Sequence, residues 1–149
     1  MKILIADDHD LFRDSLSALL REEDPNVDIT LAANVGVAMY ALNAKKDFDV
    51  ILLDMCMPGM NGLEGAKEVK TKAKDTPVVL ISGSAISTLA AKAKAVGLQG
   101  FLPKTLSGKS LLSALKLVSS GEDFFSLNRG QKTVGKSHLS LTLPDWSPA

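Results

Sequence analysis

Five polar residues in this sequence each stand just past a short apolar run. Asp7 and Asp8 follow Ile3 to Ala6, Asp54 follows Val50 to Leu53, Ser82 follows Pro77 to Ile81, and Lys104 follows the apolar end of the short strand Gln99 to Leu102 and then Pro103. Three carboxylates gathered in one place repel one another, and at least one takes a raised pKa unless a cation lies among them. Hard oxygen ligands without a histidine or cysteine cluster favour Mg²⁺ over zinc. Mg²⁺ keeps waters and binds through one or two carboxylates plus phosphate oxygens. A phosphate joining such a site needs further positive charge and donors, which Lys104 and the Ser82 hydroxyl can supply. The residues together read as a Mg²⁺-dependent phosphoryl site in which one aspartate is a candidate nucleophile, since aspartyl phosphates are established carboxylate chemistry.

That reading depends on elements that bring distant residues together. Val50 to Leu53 is continuously apolar, as expected of a parallel strand covered on both faces, and Pro58, Gly59, Asn61 and Gly62 then force a loop. Ile3 to Ala6, Pro77 to Ile81 and Gln99 to Leu102 are three more short apolar strands. Val27, Ile29 and Leu31 alternate with polar residues, which predicts a strand nearer an edge. Phe12, Leu16, Leu19 and Leu20 have helical spacing, with Asp10 as the expected N-cap. Val35 to Ala44 is a second helix capped by Asn34. Leu63 to Ala73 is a third, with Lys67 and Lys70 to Lys74 facing solvent. Ile86, Leu89, Ala90 and Ala93 stripe a fourth, with Gly97 as its left-handed C-terminal residue. Leu111, Leu112, Leu115 and Val118 line a fifth that stops at Gly121. Five strands alternating with five helices predict a doubly wound parallel α/β sheet. Its right-handed crossovers gather all strand C-termini along one edge, and ligands bind at that edge.

Composition narrows the function classes. Seventeen acidic and seventeen basic side chains balance, so bulk charge makes no case for nucleic acid or an anionic membrane. No apolar run approaches the roughly 20 residues needed to span a bilayer, and the N-terminal apolar run is too short for a signal peptide. The single cysteine, Cys56, forms no internal disulfide, which fits a reducing, cytoplasmic compartment. After Gly121 the periodicity breaks. Residues 122–149 read as a linker or flexible tail, mildly basic around Arg129, Lys132 and Lys136, with the lone Trp146.

The motif set resembles the receiver (CheY-like) domain of bacterial two-component response regulators. It rests on Asp7 and Asp8, Asp54 with the Met57 to Gly62 loop, Ser82, and Lys104 preceded by Pro103. The opening Ala6 to Arg13 is most similar to NarL/LuxR-type regulators. The resemblance covers residues 2 to about 121 and implies a flavodoxin-like sheet of strand order 2-1-3-4-5, with residues 1–121 as the receiver domain. It implies that Asp54 accepts a phosphoryl group from a sensor histidine kinase. Asp8 binds Mg²⁺ directly, Asp7 supports it, and the backbone carbonyl of Cys56 is a third protein ligand. Ser82 hydrogen-bonds the phosphoryl oxygens and moves toward them, and Lys104 pairs with the phosphoryl group. Phe101 matches the aromatic switch position, whose inward rotation shifts the surface of the fourth helix, fifth strand and fifth helix. NarL-type proteins continue into a helix-turn-helix DNA-binding domain, so DNA contact is expected only through a domain absent from these residues. A stand-alone receiver acting by protein contact or phosphorelay is the alternative. Homodimers through the switch face or through the first and last helices are expected of the type.

Each residue also has a plainer reading. An aspartate after a strand is usually a turn or cap residue, Ser82 fits a strand-end turn, and Lys104 fits a solvated lysine. Their joint order favours the phosphoryl site. One histidine among hard carboxylates does not make a histidine-ligand site, so His9 reads as bland. Cys56, beside negative charge, reads as structural, and Phe101 fits ordinary core. A haloacid-dehalogenase type of phosphohydrolase needs a second acid two positions after its nucleophile, where this chain has Cys56. A degenerate receiver used only for binding is at odds with the intact Asp8, Asp54 and Lys104. A switch module, rather than an enzyme acting on other substrates, is the expectation.

Overall fold

The computed structural model describes residues 1–44, 47–83, 87–126 and 132–133. In chain order the elements are β1 (Lys2–Ala6), α1 (Asp10–Glu23), β2 (Asp28–Ala32), α2 (Val35–Ala44), β3 (Val50–Asp54) and α3 (Glu64–Lys72). There follow β4 (Val78–Ser82), α4 (Ser87–Ala95), β5 (Gly100–Pro103), α5 (Gly108–Ser119), β6 (Phe124–Ser126) and β7 (Lys132–Thr133). The sheet order is β2-β1-β3-β4-β5-β6-β7. The expected parallel order 2-1-3-4-5 and the five helices are present.

Alternation along each strand divides the core into two layers. Leu4, Ile51, Leu53, Leu80 and Phe101 face α2, α3 and α4, meeting Ala38, Leu42, Ala66, Val69, Ala90 and Ala93. Ile3, Ile5, Val50, Leu52, Val79, Ile81 and Leu102 face α1 and α5, meeting Leu16, Leu20, Leu111, Leu115 and Val118. The central strands β3 and β4 are buried along their whole length, which is why they read as continuous apolar runs. The edge strand β2 is partly exposed, and its burial does not follow the alternation, since Ile29 and Thr30 are both half-buried and Leu31 is exposed.

The sheet continues past the expected boundary at residue 121. Phe124–Ser126 pairs in parallel with β5, and Lys132–Thr133 pairs antiparallel with β6. The first residues of the expected tail are therefore sheet. Phe124 and Phe125 are each 1% exposed, on opposite faces of it. The turn into β6 is a Schellman closure: Gly121, at φ 106°, donates to the Val118 carbonyl and Glu122 donates to that of Leu117. Gly100 lets β6 approach, because a Cβ there would lie 3.1 Å from the Phe124 carbonyl oxygen. Arg129, Lys136 and Trp146 lie outside the described residues, as does Ile86.

Three local expectations change. Asp10 is the first helical residue of α1 rather than its cap, and its carboxylate pairs with Arg13 at 2.8 Å. Leu19, expected in the buried stripe, is 42% exposed. Lys70 does not face solvent: its ammonium donates to the Thr76 carbonyl at 2.9 Å and to Gln99 Oε1 at 3.0 Å. Burial pushes the Lys70 pKa down, opposed by Asp75 and Asp123. Two helix ends are as expected. Asn34 Oδ1 accepts from the Val37 N–H, and Gly97, at φ 94°, closes α4 with Leu98 donating to the Ala93 carbonyl.

Candidate functional site

The parallel sheet delivers the chemistry-bearing residues to one edge. Ala6 is level with Leu53, Asp54 with Ile81, and Ser82 with Pro103, so each next residue emerges at the same end. Asp7, Asp54 and Ser82 are nearly inaccessible, while Asp8 is exposed. Lys104 Nζ lies 2.9 Å from Asp54 Oδ1 and 3.8 Å from Asp7 Oδ2. The Lys104 N–H donates to the Ser82 carbonyl, which ties the two strand ends together. All five residues singled out from the sequence therefore meet at this edge.

The Asp54 carboxyl is pushed above its usual range. Burial is the main cause; the Lys104 ammonium opposes it, the Asp7 charge adds to it, and the Cys56 backbone N–H opposes it. Neither oxygen of Asp54, nor Asp7 Oδ2, has a hydrogen bond of good geometry among the described residues. Buried carboxylate oxygens left in this state are expensive. They suit a hard divalent cation, which takes oxygen ligands and offsets their repulsion. Asp7, Asp8 and Asp54 thus fit such an ion on chemistry and placement.

The turns are held from outside the acids. Arg13, in the first turns of α1, donates from Nη1 to the Asp7 carbonyl at 2.9 Å and so fastens the β1–α1 turn. The Phe12 ring lies under the Lys104 ammonium, 4.5 Å from its centroid, where a cation–π contact helps to aim the amine. The loop after Asp54 is shaped by Gly59 at φ 94°, Asn61 at φ 46° and Gly62 at φ 70°, with Met57 and Met60 buried beneath it. The Pro58 carbonyl accepts from the Val35 N–H at the start of α2. Cys56 sits in the turn two residues past Asp54. Its side chain is exposed and belongs to neither core layer, so it is not the structural residue the sequence suggested.

Gly65 locks this loop to α3. Its N–H donates to the Met60 carbonyl at 2.7 Å, and a Cβ there would come within 2.5 Å of the Gly59 carbonyl oxygen and 2.7 Å of Met60 Cα. Both clashes are with backbone, so Gly65→Ala is expected to destabilise the fold by about 1–3 kcal/mol. Urea denaturation measures this, and a midpoint equal to that of the parent would show the loop to be free to shift.

Phe101 is fully buried, with its ring in the layer facing α2 to α4, level with Phe125 of β6. Nothing in the sequence marked Phe12 and Arg13 as flanking the site, and His9, read there as bland, lies against the acids. His9 Nδ1 lies 3.1 Å from Asp7 Oδ1, 3.2 Å from Asp8 Oδ1 and 3.7 Å from Asp54 Oδ2. Its contiguity with Asp7 and Asp8 was the available signal, but the direction of the ring is not readable from spacing.

Comparison with known proteins identifies a family. Residues 3–116 match the response regulator receiver domain family. The chain is 31% identical over 141 residues to the glycerol metabolism activator of Pseudomonas putida, covering 93% of this chain and 64% of that protein. Among solved structures, the signal receiver domain of NarL from Mycobacterium tuberculosis superposes with a TM-score of 0.72 at 30% identity, covering 80% of this chain and 96% of that one. A LuxR family DNA-binding response regulator from Silicibacter pomeroyi gives 0.72 at 30% identity, covering 84% and 95%. The chain spans between about half and two thirds of the length of the curated relatives it matches. Among the described residues no helix is long and apolar enough to cross a membrane.

Proposed function

Because this chain belongs to the response regulator receiver domain family, we propose that it is the phosphoacceptor switch of a bacterial two-component system, with Asp54 as the acceptor. The observation that carries the reading is the buried Asp54 carboxylate held 2.9 Å from Lys104, with Asp7 and Asp8 beside it. The donor is a sensor histidine kinase. An Asp54 oxygen bonds to phosphorus as the P–N bond of the phosphohistidine breaks, and the electron pair leaves on the imidazole. Lys104 pairs with the oxygens of the arriving group, and the Ser82 hydroxyl donates to them. Asp7, Asp8, Asp54 and the Cys56 carbonyl would hold Mg²⁺, which when bound would supply positive charge beside the phosphoryl oxygens.

The acyl phosphate then acts as a ligand that shifts the population between two arrangements. Ser82 and Phe101 couple the site to the α4–β5–α5 surface. The output is control of transcription through a helix-turn-helix domain of the full regulator. The LnrK relative of Bacillus subtilis, 32% identical over 123 residues, is named a transcriptional regulatory protein, which supports that output. The module assists its own phosphorylation and dephosphorylation and turns over no other substrate. It works in the cytoplasm and pairs with a second copy.

The test is incubation with Mg²⁺ and a small phosphodonor such as acetyl phosphate, followed by intact-mass measurement. One phosphoryl adduct is expected. A chain that takes no phosphate from either this donor or a histidine kinase would end the switch reading. Turnover of many equivalents of a phosphomonoester would replace it with a phosphohydrolase.

A further inference from the structure

His9 has no part in the mechanism just described, yet its ring nitrogen stands inside the carboxylate cluster. Three oxygens from three residues face Nδ1: Asp7 Oδ1 at 3.1 Å, where the two share a hydrogen bond, Asp8 Oδ1 at 3.2 Å and Asp54 Oδ2 at 3.7 Å. Neighbouring ligands at right angles about an ion, each about 2.1 Å from it, are separated by about 3.0 Å. Nδ1 therefore holds the spacing of one more member of the same coordination shell. The His9 N–H donates to Asp7 Oδ1 at 2.8 Å, which anchors residue 9 over that carboxylate and leaves the ring 59% exposed. The second observation is the buried oxygens. Asp7 and Asp54 are each about 1% exposed, and Asp7 Oδ2 and Asp54 Oδ2 lack a well-formed hydrogen bond. The site has uncommitted donors on the oxygen side and a nitrogen donor at ligand spacing.

We infer that His9 Nδ1 is a ligand of the cation held by Asp7, Asp8 and Asp54, and that it biases this site toward borderline first-row ions such as Mn²⁺ and Co²⁺ and away from Mg²⁺. The inference rests on the proposal that the cluster holds a divalent cation. Its physical basis is ligand type. Mg²⁺ prefers hard oxygen donors and gives up water reluctantly, whereas imidazole binds later first-row ions increasingly well from Mn²⁺ toward Cu²⁺. An imidazole offered to Mg²⁺ adds little; the same imidazole offered to Co²⁺ adds a strong bond. The ring binds in its neutral form, with the remaining proton on Nε2.

The experiment compares the full chain with His9→Ala at one fixed pH. Mg²⁺, Mn²⁺ and Co²⁺ are titrated by calorimetry, and Mn²⁺-loaded protein with ¹⁵N-histidine is examined by electron–nuclear double resonance. His9→Ala is expected to weaken Co²⁺ by about tenfold or more, as loss of a metal-orienting or ligating group typically does. Mg²⁺ affinity should change far less. The parent should show a ¹⁵N hyperfine coupling that the variant lacks. Equal changes for Mg²⁺ and Co²⁺, or no ¹⁵N coupling in the parent, overturn the inference. The exposed ring makes folding of the variant safe, and an unchanged metal-free melting curve verifies it. If the parent binds Mg²⁺ and takes a phosphoryl group while His9→Ala leaves the metal order unchanged, only the histidine inference falls. If the parent binds none of the three ions, the cation reading of the whole cluster falls with it.

Discussion

Asp54→Asn is expected to take up no phosphoryl group and, free of metal, to be more stable than the parent at neutral pH. The two results have one cause. The Asp54 carboxylate is buried among other acids, and burial raises its pKa in the folded protein above the value near 3.9 that an unfolded chain gives it. A raised folded pKa means that the native state binds the proton more tightly. The stabilisation from that proton is complete below the unfolded pKa and is lost as pH rises through the folded pKa. At neutral pH the ionised group therefore works against the fold. Asparagine removes the charge and keeps the shape, so a gain of about 1–2 kcal/mol is expected, in the range of single stabilising changes at strained sites. Lys104 is not stranded by the change, since it also lies over Phe12 and near Asp7. Urea denaturation in the presence of a chelator measures the difference, which should shrink as pH falls toward 4. A variant less stable than the parent at neutral pH would mean that the Asp54–Lys104 pair outweighs burial. An adduct persisting in the variant would move the acceptor to another residue.

Ending the chain after Gly121 is expected to abolish cooperative folding, whereas ending it after Thr133 should not. The shorter chain loses Phe124 and Phe125, one from each core layer. Truncating one buried phenylalanine to alanine costs about 3–5 kcal/mol, and whole domains are stable by only about 5–15 kcal/mol. The same cut strips the outer edge of β5, which holds Gly100 and Phe101. Loss of near-ultraviolet circular dichroism and of a sigmoidal urea transition is the expected result. A chain ending at Gly121 with the midpoint of the full chain would show that β6 contributes nothing to the domain.

Four of the first five strands could be read from the sequence because each is a short apolar run closed by a polar residue, and β2 because its apolar residues alternate with polar ones. The alternation of strands and helices then forced a parallel sheet. Convergence of Asp7, Asp8, Asp54, Ser82 and Lys104 follows from that topology without any side-chain detail. Gly97 and Gly121 were legible for a similar reason, since a helix end that needs positive φ selects glycine. These are properties of the backbone, and backbone preferences are written locally.

Other features depended on packing between segments far apart in the chain. β6 is three residues long, too short to show a period, and it exists because Gly100 admits its carbonyl and the two core layers take its phenylalanines. Lys70 lies in a run of surface lysines and is turned inward by Gln99, a residue twenty-nine positions away. Phe12 lies under Lys104, and His9 points into the acids, at the turn where β1 passes into α1, a helix that packs against α5. The sequence by itself determined which residues reach the functional edge. The tertiary structure decided how their side chains face one another there, because rotamers and partner distances follow from close packing rather than from spacing along the chain.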